Sequence, residues 1–131
     1  ESVVTLFQDW RIGLSICYDL RFPELYRKMS RNGAELFCIP AAFTEHTGKD
    51  HWQPLIQSRA IENQAYVAAP AQFGRHSAKR ISWGKSMLVD PWGSILATCP
   101  ENEGYALSCF EKDYLEQVRQ GLPALEHQIL R

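Results

Sequence analysis

The stretch from Arg11 to Pro40 constrains the fold more than any other part of the chain. Ile12, Leu14 and Ile16 alternate with Gly13 and Ser15, the period of a half-buried strand. Pro23 then fixes a helix-compatible φ, so that Glu24 to Asn32 reads as a helix stopped by Gly33. Leu36 to Pro40 follows as a short continuous apolar run, the mark of a strand covered on both faces. Strand, helix and buried strand in succession predict an α/β layer with a parallel pair inside it.

The remaining elements extend that layer. Thr44 to Lys49 reads as a polar loop, and the Asp50/Gln53 capping-box spacing opens a second helix to about Asn63, with Trp52, Leu55, Ile56 and Ala60 on one face. Ala65 to Ala69 is the next predicted strand, and Gly74 to Lys85 a loop. Ser86 to Val89 and Ile95 to Thr98 read as strands joined by the turn Asp90-Pro91-Trp92-Gly93. Tyr105 to Phe110 reads as a last strand, before a helix opened by Asp113 and Glu116 and closed by Gly121 and Pro123. With 131 residues and no linker or internal repeat, one domain of helices layered on a mixed sheet is expected.

Charge and cysteine usage narrow the partners. Lys and Arg number 14 against 15 Asp and Glu, so the broad basic field of a nucleic-acid binder is absent. No apolar run approaches the roughly 20 residues of a membrane span, and no signal peptide opens the chain, which starts at Glu1. Cys17, Cys38, Cys99 and Cys109 show neither zinc-site nor dithiol spacing, and the four histidines (46, 51, 76 and 127) show no metal-ligand pattern. Neither a metal nor a cofactor is expected. Reduced thiols in a reducing compartment are the expectation, the cytoplasm first and the mitochondrion second.

Three of the cysteines have apolar, strand-like neighbours and read as small buried hydrophobes. Cys17 differs. It falls where the first strand ends, beside Tyr18, Asp19, Arg21 and Glu24. A side chain there projects into the crevice where α/β layers bind ligands. Turn N–H groups at such a place can activate a thiol and accept a developing oxyanion. From residue type alone, a buried thiol and a nucleophile both remain open.

Gly13-Leu14-Ser15-Ile16-Cys17-Tyr18-Asp19-Leu20-Arg21-Phe22-Pro23-Glu24-Leu25 resembles the nucleophile segment of the nitrilase, or carbon–nitrogen hydrolase, superfamily. Three further segments agree in order: Pro40 to Thr44 with Gly48 and His51-Trp52, then Arg59 to Val67, then Trp83 to Gly93. The stretch from Arg75-His76 through Lys79-Arg80 to Asp90-Pro91-Trp92-Gly93 is most similar to the branch that hydrolyses deaminated glutathione, with the ω-amidase branch close behind.

The resemblance implies part of a four-layer α-β-β-α sandwich and hydrolysis of the C–N bond of a small carboxylated amide. Cys17 would attack the carbonyl, the Tyr18 backbone N–H would hold the oxyanion, and water would release the acyl group from its thioester. Arg21 would grip a substrate carboxylate, or else pair with Glu24 or Asp19; Thr44 would touch substrate or serve as a loop hydroxyl. Glu62 and Arg59 read as structural, and Trp83 and Trp92 as packing. A homodimer acting on a small molecule, without nucleic acid or membrane, is the implied assembly.

One departure stands out. The family's site lysine and glutamates precede the cysteine, whereas the 16 residues before Cys17 hold no Lys, and only Glu1 and Asp9 as acids. The tail, His127-Gln128-Ile129-Leu130-Arg131, also departs from the family's basic, Tyr-ending pattern. Residues 1–131 thus read as the carboxyl-terminal half of such a domain. A truncated, inactive chain serving as a binding module is the alternative. A Cys–His protease or acyl transferase, pairing Cys17 with His46, His51 or His76, lacks the local signature of either class.

Overall fold

The computed structural model describes residues 1–130. Its centre is a six-stranded mixed sheet in the order β1-β2-β3-β4-β7-β8. Those strands are β1 Val3–Phe7, β2 Trp10–Leu14, β3 Leu36–Cys38, β4 Tyr66–Ala69, β7 Met87–Val89 and β8 Ile95–Thr98. β2, β3 and β4 are parallel; the pairs β1–β2, β4–β7 and β7–β8 are antiparallel. Helix α1 (Pro23–Arg31) crosses from β2 to β3, and α2 (Glu45–Asn63) from β3 to β4. Parallel neighbours require such crossovers, and right-handed ones stepping in the same direction put both helices on one face.

That face is the core. Gly13 of β2, Phe37 of β3, Val67 and Ala69 of β4 and Met87 and Val89 of β7 meet Tyr26 and Met29 of α1 and Trp52, Ile56 and Ala60 of α2. A β-carbon on Gly13 would come 2.8 Å from the Phe37 ring, so only glycine admits that ring. The opposite face is open over much of its area. Val3 and Leu14, paired across β1–β2, are exposed. Its covered end is aromatic: the Tyr66 and Phe110 centroids lie 4.5 Å apart, and Trp10 stands edge-on to both.

Helix α3 (Lys112–Gly121) closes the end where β3 and β4 begin. Arg119 donates to the carbonyls of Gln64 and Ala34, and Gln64 Nε2 donates to Leu122 O. Lys112 joins the Glu35 carboxylate at 2.6 Å and reaches Asp9 O at 2.7 Å.

Four expectations fail. Thr44 to Lys49 is no loop: α2 starts at Glu45, because Gly48 is buried against Trp83 and tertiary packing turns a polar segment helical. Gly74 to Lys85 is mostly a hairpin, β5 (Phe73–Ser77) with β6 (Arg80–Trp83). Tyr105 to Phe110 forms no strand and pairs with none, and Tyr105 is 86% exposed. Cys109, on that segment, is exposed rather than buried, and β1 is an unanticipated edge strand. No described helix is long and apolar enough to cross a membrane.

Candidate active site around Cys17

Three parallel strands end side by side, and the chain leaving each contributes one wall of a cavity of about 380 Å³. Ile16 and Cys17 follow β2, Pro40 to Ala42 follow β3, and Pro70 to Gln72 follow β4. This is where open α/β sheets bind ligands, outside the carboxyl ends of the strands. The lining residues carry no ionisable group except the thiol.

Cys17 is held there by a prolongation of the β2–β3 ladder. The Ser15 N–H donates to Cys38 O (3.2 Å), and the Cys17 N–H donates to Pro40 O (2.8 Å). Cys17 has φ +46, a left-handed conformation that costs a non-glycine residue about 1–2 kcal/mol. A strained residue persists only where its surroundings over-determine it, and such residues cluster at functional sites.

The surroundings are a 3-10 turn, Cys17–Arg21, pinned at several points. The Ile16 N–H donates to Asp19 Oδ2, and the Asp19 N–H to Ile16 O. Arg59, buried in α2, donates through Nε and Nη2 to Leu20 O at 3.1 and 2.7 Å, and through Nη1 to Glu62 at 3.0 Å. Ser15 Oγ and Tyr26 OH lie 2.8 Å apart; burial pushes the Tyr26 phenol up to about 12. Arg59 thus anchors the turn from α2, and Glu62, on the same helix, holds Arg59. Opening N–H groups of a helical turn lack an internal acceptor. Pro40 and Ile16 take those of Cys17 and Asp19, and Tyr18 contributes the remaining one.

Arg21 and Thr44 stand outside the lining. No carboxylate lies within ion-pair distance of Arg21 among the described residues, so the anticipated pair with Glu24 or Asp19 is not formed. Its guanidinium lies over the rings of Phe43 (5.0 Å) and Tyr18 (5.5 Å), with Nη1 3.3 Å from His51 Nδ1. Thr44 is exposed at the N-cap of α2, its Oγ1 3.4 Å from Thr47 Oγ1.

None of the four histidines lines the cavity, and all four are exposed; His76 Nε2 is 2.8 Å from Ser82 Oγ. No cluster of three metal-ligating side chains occurs among the described residues. Burial raises the Cys38 thiol, and Cys99 is buried. Trp52 is core and donates to Lys85 O, Trp83 packs on Gly48, and Trp92 is exposed in its turn.

Pro70, Ala71 and Gln72 escaped the sequence reading because none carries recognisable chemistry. Ser86 holds them in place: its Oγ accepts from the Ala71 N–H at 2.8 Å and donates to Ala71 O at 3.3 Å.

Residues 2–120 match the family model described as carbon-nitrogen hydrolase. A deaminated glutathione amidase of Synechocystis is 57% identical over 118 residues, which are 90% of this chain and 43% of that protein. The crystal structure of Saccharomyces cerevisiae Nit3, a member of branch 10 of the nitrilase superfamily, superposes with a TM-score of 0.92 at 33% identity, covering 99% of this chain and 48% of that one. An amidase from Nesterenkonia, solved after Michael addition of acrylamide at its active site cysteine, gives a TM-score of 0.75 at 28% identity, over 93% of this chain and 47% of its own. The chain thus spans less than half the length of each of these proteins.

Proposed function

The chain belongs to the carbon-nitrogen hydrolase family, and on that premise we propose that the protein it forms hydrolyses the C–N bond of a small carboxylated amide, deaminated glutathione first among them, through a thioester on Cys17. The observation that carries the reading is the left-handed Cys17, held by Pro40 O at the mouth of a cavity shared by three strand ends.

In this mechanism the Cys17 sulfur attacks the amide carbonyl, and the Tyr18 N–H, free of the turn's own bonding, faces the oxygen that gains charge. The C–N bond breaks with its electron pair on nitrogen, which takes up the proton drawn from the thiol. Water then attacks the thioester carbonyl, freeing the acid and restoring the thiol. Arg21, held over two aromatic rings without a carboxylate partner, binds the substrate's acyl-side carboxylate through its fork.

Proton transfer needs a base, and the oxyanion gains from a cation, yet the lining supplies neither. The reading assigns both to the family's glutamate and lysine in sequence outside residues 1–131. Each such group contributes about 10²–10³ in rate, so residues 1–131 alone turn over little amide. The complete enzyme is read as a homodimer in the cytoplasm, a reducing compartment that suits four free thiols.

The test is amine release from deaminated glutathione by the full-length enzyme and its Cys17→Ala form. Cys17→Ala should lose activity about 10⁴-fold or more; retained turnover would remove Cys17 as nucleophile. The second reading, a catalytically silent binding module, rests on the lining's lack of a base. It would stand if the full-length protein bound the amide without hydrolysing it.

A further inference from the structure

The 27 residues from Asn63 to Val89 contain no carboxylate, yet hold Arg75, Lys79, Arg80 and Lys85. Lys85 pairs with Glu101 at 2.9 Å. Arg75, Lys79 and Arg80 are exposed on the β5–β6 hairpin and have no carboxylate within ion-pair distance among the described residues. Three unpaired cations on one short ribbon repel one another, and an anion bound among them relieves that repulsion.

The hairpin's root is the rim of the Cys17 cavity. Gln72 lines the cavity, and β5 begins at the next residue. The Gln72 N–H donates to Ala41 O, joining two cavity walls, and the Trp83 N–H donates to Phe43 O. Thr44 forms a bridge to Ser82, so the same segment that leaves β3 carries the cavity wall and seats β6. Arg21 lies over the Phe43 ring, so its charge and the base of the hairpin share one support. From Gln72 to Arg75 is about 10 Å of strand, the span of an extended tripeptide-sized amide, also about 10 Å.

We propose that the β5–β6 hairpin binds the carboxylate on the amine side of the scissile bond, with Arg75 as the leading contact and Lys79 and Arg80 supplying the attracting field. The enzyme would then select amides charged at both ends, Arg21 reading the acyl side and the hairpin the departing side. The inference rests on the amidase reading of Cys17 and goes beyond it by placing the leaving-group specificity.

The test compares a cysteinylglycine amide of an α-keto diacid with the same compound carrying a C-terminal carboxamide. In the full-length enzyme, the variant combining Arg75→Gln, Lys79→Gln and Arg80→Gln should lose kcat/KM on the free acid at least roughly tenfold more than on the carboxamide. The difference should sit in KM and shrink with added salt. Arg75→Lys, which keeps charge but loses the fork, should fall between. Equal losses on both compounds, or none, would overturn the inference while leaving the amidase reading intact.

Calorimetric binding of both compounds to the Cys17→Ala protein separates the two readings. A preference for the free acid that the triple variant abolishes supports the hairpin subsite, even where the unsubstituted protein hydrolyses neither compound. Equal binding of both compounds would overturn it, as would tighter binding of a DNA or RNA oligonucleotide.

Discussion

Gly48 and Trp83 touch backbone to side chain: a β-carbon at position 48 would lie 2.4 Å from the Trp83 Cβ and 2.6 Å from its Cγ. The contact joins the first turns of α2 to the end of the β5–β6 hairpin. Gly48→Ala should therefore destabilise the protein by about 1–3 kcal/mol despite alanine's better helix propensity, because the tryptophan must move. Urea denaturation measures this, and a variant as stable as the parent would mean the two elements are not in register.

Arg59 is the second sensitive position. Replacing it with Met keeps the volume but leaves Leu20 O without its two donors and Glu62 without its partner. The expected cost is about 2–4 kcal/mol in chemical denaturation. A larger relative loss should appear in the rate at which an electrophile alkylates Cys17, since Leu20 closes the turn that presents the thiol. An unchanged alkylation rate would mean that the turn holds without the guanidinium.

Stability should respond to acid through Glu35. Burial pulls its carboxyl up, but hydrogen bonds from Lys112 and the Arg11 N–H, with the charges of Lys112 and Arg119, together hold it below its ordinary value of 4.5. A depressed carboxyl stabilises the fold above its unfolded pKa, and that contribution is lost as pH falls through the folded value. Glu35→Gln should thus be less stable than the parent at neutral pH, and the gap should close below pH 4.5. A gap constant with pH would show that the Lys112 contact does not depend on the carboxylate's charge.

The alkaline limit belongs to Tyr26. Its phenol, raised to about 12 by burial against the weaker opposing pull of Ser15 and Arg59, favours the neutral form in the fold. The stabilisation is present below the ordinary tyrosine value of 10.0 and is lost as pH rises through about 12. Ultraviolet titration should show a phenol that ionises only near pH 12, absent in Tyr26→Phe.

Where a strand or helix buries one face in the core, its period was readable. β2, α1 and β3 are such elements, and so is the turn that displays Cys17. The β5–β6 ribbon was not readable because Arg75, His76, Lys79 and Arg80 interrupt its few apolar residues, Phe73, Ile81 and Trp83; cross-strand pairing and the packing of Trp83 on Gly48 make it a hairpin. The β1–β2 turn lacks the usual glycine and instead puts Gln8 at φ +54, so its hairpin signal was missing. Tyr105 to Phe110 misled in the opposite way. Its apolar content suggests a ladder, but Phe110 spends its apolar surface on Trp10 and Tyr66. At the cavity the sequence singles out the thiol alone: Arg21 and Thr44 stand outside the lining, and Pro40 to Ala42 and Pro70 to Gln72 matter only for the space they leave.

The hydrogen bond from the Cys17 N–H to Pro40 O continues the ladder between the parallel strands β2 and β3 rather than belonging to a separate loop. The amides of Ser15 and Cys17 should therefore exchange with solvent on the same clock as Phe37 at the centre of the sheet. A thiol mounted this way has no low-energy opening of its own: heat cannot melt the site first and spare the scaffold. The temperature at which reactivity fails and the temperature at which the sheet comes apart would then be one and the same.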